Sequence, residues 1–183
     1  MEQSKIEIKI LNDLKSPPNA QIIENAIYVE DEQNAIVSEV TVSGKFNRKY
    51  TVIGYLVELN QDRVLIDDNL LIVCLWSNLA IIDMKQNKLL KSMTLCDMGE
   101  LFGVYKFKSG YFIYGELENF FINEHFEVVW EMGCIDIFVN PKAEKELEIF
   151  DDYISVYDWY GYKHFYNESG EFKEEYYPEY DYR

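Results

Sequence analysis

The stretch Leu70-Leu71-Ile72-Val73-Cys74-Leu75-Trp76-Ser77-Asn78-Leu79-Ala80-Ile81-Ile82-Asp83-Met84-Lys85-Gln86-Asn87-Lys88-Leu89-Leu90-Lys91 decides the fold. Two short apolar runs flank a small polar break. An Asp then opens a polar turn, and the chain re-enters through Lys-Leu-Leu. Short apolar runs bounded by turn signals read as strands. An Asx side chain can bond its own backbone two residues on, so Asp83 can close a hairpin without outside help. The unit is therefore strand, short turn, strand, Asx turn, strand.

The unit returns twice. Tyr111 to Tyr114 leads into Gly115-Glu116-Leu117-Glu118-Asn119-Phe120-Phe121-Ile122-Asn123 and out through Glu127 to Trp130. Tyr153 to Tyr157 leads into Trp159-Tyr160-Gly161-Tyr162-Lys163-His164-Phe165-Tyr166-Asn167 and out through Glu171 to Tyr176. The Asx positions 83, 123 and 167 lie 40 and 44 residues apart. A period near 40 with several strands per unit is the signature of propeller blades. A fainter fourth copy lies at Ile27 to Val37.

Outside the repeats the period stays at two. Ile6, Ile8 and Ile10 alternate with charged residues, as a strand does. Ile36, Val40 and Val42 lead into the polar turn 44–49, and Tyr50, Val52 and Tyr55 lead out, predicting a hairpin. Pro17-Pro18 marks a loop. Aromatic residues make up 16% of the chain, which suits pleated surfaces. Helix signals are confined to Pro141 through Leu147, with Asn140 as cap, and to one turn at Asp97 to Phe102. The reading is an all-β chain of antiparallel blade-like repeats, a small or partial β-propeller, with at most one or two short helices. It is one domain, 1–183: N-terminal hairpins over 1–66 and three repeats over 67–183.

The segment Ala80 to Lys91 resembles the strand-turn-strand of quinoprotein-type and Trp-Asp-repeat propellers. The resemblance covers three units, roughly residues 68 to 177. The Gly-His and Trp-Asp pairs of the Trp-Asp repeats are missing, as is the Trp-rich docking signature of quinoproteins. It implies blade architecture, while an unclosed meander of hairpins fits the same residues.

Charge narrows the function classes. Thirty-three acids against 17 bases leave a net charge of −16 over 183 residues. Nucleic acids and anionic membranes both need cationic surface, so neither is an expected partner. A basic protein is. The N-terminus lacks the uninterrupted apolar stretch of a secretory signal, and Leu70–Trp76, the longest apolar run, is far below the roughly 20 residues of a membrane helix. A cytoplasmic location is expected. Cys74, Cys96 and Cys134 form no close pair and no zinc spacing.

Catalytic patterns are weak. His125 reads as a turn residue and His164 as the neighbour of aromatic strand residues, with no nucleophile elbow nearby. The carboxylate pairs Asp67-Asp68, Asp151-Asp152 and Glu174-Glu175 are sequence neighbours. On strands such neighbours point to opposite faces, unlike a glycosidase pair. Glu30-Asp31-Glu32 lacks the Gly and final Glu of a calcium loop. The nine glycines are scattered, so no phosphate cradle forms. No catalytic residue, cofactor or metal is expected, and the chain reads as a non-enzyme.

The C-terminus stands out. Residues 144–183 hold 12 acids and 4 bases, half the net charge, interleaved with tyrosines. The expected partner-binding residues are Tyr160, Tyr162, Glu168, Glu171, Glu174, Glu175, Tyr176, Tyr177, Glu179, Tyr180 and Asp181. Tyrosine anchors contacts, and acids steer a basic partner. In composition the chain resembles bacterial toxin-immunity proteins, which implies a protein that blocks a basic toxin's active site. Other readings are a β-repeat scaffold or regulatory subunit binding a peptide or protein, and a carbohydrate-binding or carbohydrate-acting protein using Trp76, Trp130 and Trp159. A homodimer stays open.

Overall fold

In a computed structural model the described residues form sixteen strands in four four-stranded sheets. The structure describes residues 4–11, 21–23, 35–55, 58–97, 99–134 and 136–182. The Pro17-Pro18 loop, Glu30-Asp31-Glu32 and most of the faint repeat copy lie outside them. The chain divides into two compact units, Met1–Asp97 and Met98–Arg183.

In the first unit, strands β1 (Lys5–Leu11), β2 (Gln21–Ile23), β3 (Ala35–Ser43) and β4 (Arg48–Tyr55) make a sheet ordered β1-β3-β4-β2. The hairpin expected around residues 44–49 is β3–β4, and the alternating N-terminus is β1, antiparallel to β3. Among the described strands only the three-residue β2 runs parallel to its neighbour. The second sheet is a meander of β5 (Val64–Asp67), β6 (Leu70–Leu75), β7 (Asn78–Asp83) and β8 (Lys88–Thr94). It starts at Val64, just before the repeats as drawn from sequence. Val40, Val42, Tyr50 and Val52 of the first sheet share a core with Leu71, Val73, Ala80 and Ile82 of the second. Ile72, Cys74, Leu79 and Ile81, on the other face of β6 and β7, are buried too. Burial on both faces is why these strands read as unbroken apolar runs.

The second unit repeats the meander twice. Its sheets are β9 (Leu101–Phe107), β10 (Gly110–Gly115), β11 (Glu118–Ile122) and β12 (Val128–Gly133), then β13 (Leu147–Ile149), β14 (Ile154–Tyr157), β15 (Tyr162–Tyr166) and β16 (Phe172–Tyr176). Their shared core is aromatic: Phe112, Phe121 and Trp130 meet Phe138, Ile154, Val156 and Tyr166. Trp130 stacks on Phe121 at 5.9 Å and on Tyr166 at 5.3 Å between centroids. Such pairs add about 0.5–1.5 kcal/mol each beyond their buried area.

The three Asx turns close as their spacing predicts. Asp83 Oδ1 accepts the Lys85 and Gln86 amides at 2.8 and 2.9 Å. Asn123 Oδ1 accepts those of His125 and Glu127 at 2.9 and 3.0 Å. Asn167 Oδ1 accepts that of Glu171 at 2.9 Å.

The helix expected over Pro141–Leu147 does not form. Asn140 does cap a turn, accepting the Lys142 amide at 3.1 Å, but only one turn follows. Leu147–Ile149 then pairs with β14. The fourth sheet needs that strand, and tertiary pairing overrides a weak local helix preference. The turn expected at Asp97 to Phe102 is likewise displaced, because Leu101 and Phe102 belong to β9. Among the described residues the short helical elements are the 3-10 turns Gln61–Arg63 and Pro178–Tyr180.

Candidate functional site

The expected binding residues gather on and around β15 and β16, where strand alternation sorts them onto two faces. Tyr162 pairs with Tyr176, His164 with Glu174, and Tyr166 with Phe172. Lys163 pairs with Glu175 and Phe165 with Lys173. One face therefore carries tyrosines, Phe172 and Glu174. The other carries Lys163, Phe165, Lys173 and Glu175.

On the first face His164 is buried, deeper than its place beside aromatic residues suggests. Its Nε2 lies 3.0 Å from Asp158 Oδ2, and its Nδ1 lies 4.0 Å from Glu174 Oε2. Phe172 stacks on it at 5.6 Å. Asp158 is itself held, with Oδ1 accepting the Tyr162 amide at 2.9 Å. Asn140, fully buried, donates to the carbonyls of Asp158 and Tyr180 at 2.6 and 2.9 Å. That amide fastens the C-terminal segment to the sheet. Gly161 makes the approach possible: its φ is +81°, and a Cβ there would lie 2.7 Å from the Tyr177 carbonyl oxygen.

Tyr153, Lys163, Phe165, Lys173, Glu175 and Tyr177 of the second face, with Tyr166, Asn167, Glu171 and Phe172 at its end, line an open groove of ≈ 790 Å³. Lys163 Nζ pairs with Glu148 at 2.9 Å and lies 4.8 Å over the Tyr157 ring. Lys173 pairs with Glu175, which also accepts the Tyr177 hydroxyl at 2.9 Å. These bonds hold the Glu175 carboxyl below the usual carboxylate range, Lys173 first and Tyr177 second. Sequence reasoning missed Tyr153, Lys163, Phe165 and Lys173. The signal was the alternation of Tyr162–Tyr166 against Phe172–Tyr176, which places both lysines beside Glu175.

The other expected residues differ in what they are free to do. Glu168 accepts both the hydroxyl and the amide of Ser109, and its carbonyl takes Trp130 Nε1 at 3.2 Å. The Ser109 hydroxyl, more than the amide, holds its carboxyl low. Glu171 braces the Asn167 turn by accepting its Nδ2 at 2.6 Å. Tyr180 packs on Tyr157 at 4.9 Å, and Tyr176 donates to Asp181 at 2.7 Å. Tyr160 is half-buried in the turn before β15, and Glu179 is exposed in the 3-10 turn. Glu171, Glu174 and Glu179 are the exposed acids among the expected residues.

The edge strands differ too: β1, β5 and β13 pair with their neighbours without a shift, and others do not. β8 and β12 each end their sheet and carry one extra residue, Leu90 and Val129, where the pairing register shifts. β16 also ends its sheet, but it pairs with β15 over five residues with no shift. Phe172 and Tyr176 on it are 48% and 45% exposed.

Burial raises Cys74 to about 12, and burial likewise raises Cys134 to about 12. His125 is exposed in its turn, 3.8 Å from Glu124. Asp68 and Asp152 pair with Lys45 and Lys108 at 2.6 and 2.7 Å. No group of three metal-ligating side chains occurs among the described residues. Of the expected sugar platforms, Trp130 lies in the aromatic core, Trp76 is half-buried, and Trp159 is half-buried and packs on Tyr182 at 4.2 Å.

No protein-family model matches the chain, and no curated protein does. Solved structures do, at the level of fold. The computationally designed protein Ika8 is similar with a TM-score of 0.53 at 10% identity, over 79% of this chain and 47% of that one. BamB from Moraxella catarrhalis has a TM-score of 0.48 at 13% identity, covering 86% of this chain and 50% of its own. BBS1N in complex with ARL6DN has 0.46 at 14%, covering 79% and 50%. The chain spans about half the length of these structures. It is an all-β protein of blade-like four-stranded sheets.

Proposed function

We propose that the chain is a non-catalytic protein-binding module, and that its partner engages the outer edge of the fourth sheet. The observation that supports this reading most is β16: an unbulged edge strand with exposed Phe172 and Tyr176 among acidic residues. Edge strands with apolar side chains pair readily with other chains, and bulges are a usual protection. Phe172 and Tyr176 supply contact area, and Glu174 and Glu179 supply a field that steers a cationic partner. A basic toxin neutralised by occlusion is the partner class that fits the −16 charge.

The test mixes the protein with purified products of adjacent genes and measures affinity by calorimetry. A complex is expected whose affinity falls about tenfold or more between about 50 and 500 mM salt, the range in which exposed charges become screened. E174K/E179K should weaken it similarly. A complex indifferent to both salt and charge reversal overturns the basic partner and favours a neutral peptide or scaffold contact. No complex with any of these products overturns the neutralising role.

A further inference from the structure

We propose that β16 is also a self-pairing edge, through which two copies of this chain join antiparallel about Glu174. This rests on β16 being the partner-facing edge. It adds a second occupant, set by the chemistry of Phe172-Lys173-Glu174-Glu175-Tyr176. Run antiparallel against itself about Glu174, the strand sets Phe172 opposite the other copy's Tyr176 and Lys173 opposite its Glu175. Two-fold symmetry makes each contact occur twice. Aromatic pairs and opposite-charge pairs are the cross-strand contacts that stabilise sheets.

The faces agree with this register. Lys173 and Glu175 already share a face and bond each other, so pairing closes a ring of two lysines and two glutamates. Phe172, Glu174 and Tyr176 share the opposite face, so the aromatic pairs flank the dyad. The one unfavourable contact is Glu174 against its own copy. Glu174 is half-exposed, with Oε2 4.0 Å from His164 Nδ1, so water and added salt screen that contact. The register without a bulge leaves the strand straight enough to accept a neighbour. β8 and β12, with Leu90 and Val129 out of register, are not.

Both copies carry −16, so the long-range field opposes association. Self-pairing therefore tightens with added salt, the reverse of the complex with a basic partner. A strand this short buries less than a stable interface of about 1,200 Å² or more, so the dimer is weak and is measured at high protein concentration.

Sedimentation equilibrium on the full chain tests the proposal, with K173E, E175K and their equimolar mixture. The unaltered protein should dimerise, and about fivefold tighter at about 300 mM than at about 30 mM salt. Each variant alone puts like charges opposite each other at two places and should be monomeric. Their mixture restores opposite charges at both places and should give a heterodimer. Circular dichroism unchanged in each variant confirms that both fold. A monomeric unaltered protein at every salt concentration overturns self-pairing, as does a mixture that fails to associate. Either result leaves the salt-weakened complex with a basic partner to stand or fall on its own calorimetry.

Discussion

Asn140 shows how much one buried side chain can organise. Its amide donates to the carbonyls of Asp158 and Tyr180, and its oxygen accepts the Lys142 amide. N140A should destabilise the protein by about 2–4 kcal/mol, because buried partners lose their bonds without gaining water. Chemical denaturation measures this. N140D should be at least as harmful, since it faces two carbonyl oxygens with an acceptor. Gly170 is a second such position. Its φ is +80°, and a Cβ there would lie 2.8 Å from Trp130 Cδ1. G170A should cost about 1–3 kcal/mol through strain and displacement of the indole. A shifted Trp fluorescence spectrum in the folded variant would report that displacement. Neither role is written in the local sequence. Asn140 reads as a helix cap, and only the return of Tyr180 to its side gives it the larger task.

At the scale of elements, the Asx turns are the most legible feature. Positions 83, 123 and 167 can be read from spacing because the Asx side chain bonds its own loop and needs no distant partner. N167A should loosen the β15–β16 hairpin while leaving β9–β12 intact. Hydrogen exchange should show faster exchange over residues 171–176 and no change in the other hairpins. The pairing of faces is legible once the register is known, since alternation follows from the pleat. Register itself depends on bulges. Leu90 and Val129 look like ordinary apolar strand residues in sequence, and nothing local marks them as unpaired. The same gap hid the lysines of the groove: sequence shows an acidic segment, while pairing places Lys163 and Lys173 at its centre. The strand Leu147–Ile149 is a third case, because its helix-favouring neighbours yield to β14.

At the scale of the whole molecule, charge dominates the response to solution conditions. Glu148 is held below the usual carboxylate range by its hydrogen bond from Lys163, Glu168 by Ser109, and Glu175 by Lys173 and Tyr177. A carboxyl lowered in the folded state binds its proton more readily when unfolded. The stability it adds is present above the ordinary value of 4.5 and is lost as pH falls through the lowered values. Thermal melts should therefore weaken progressively below about pH 4.5. E148Q should flatten that loss slightly, because the group is partly exposed and screened. Salt acts the other way near neutrality. Screening the self-repulsion of −16 should raise the melting temperature at moderate salt, and a fall would contradict a chain held back by its own charge.

By itself the sequence determined the all-β class, the three strand-turn-strand units, the Asx turns and the acidic C-terminal segment. Each depends on period, composition or bonds between residues a few positions apart. Tertiary structure decided which edge strands carry a bulge, which acids are already tied, where the lysines lie and that residues 147–149 form a strand. Those depend on which residue stands opposite which across a sheet, and pairing between separate strands is not a local property of the chain.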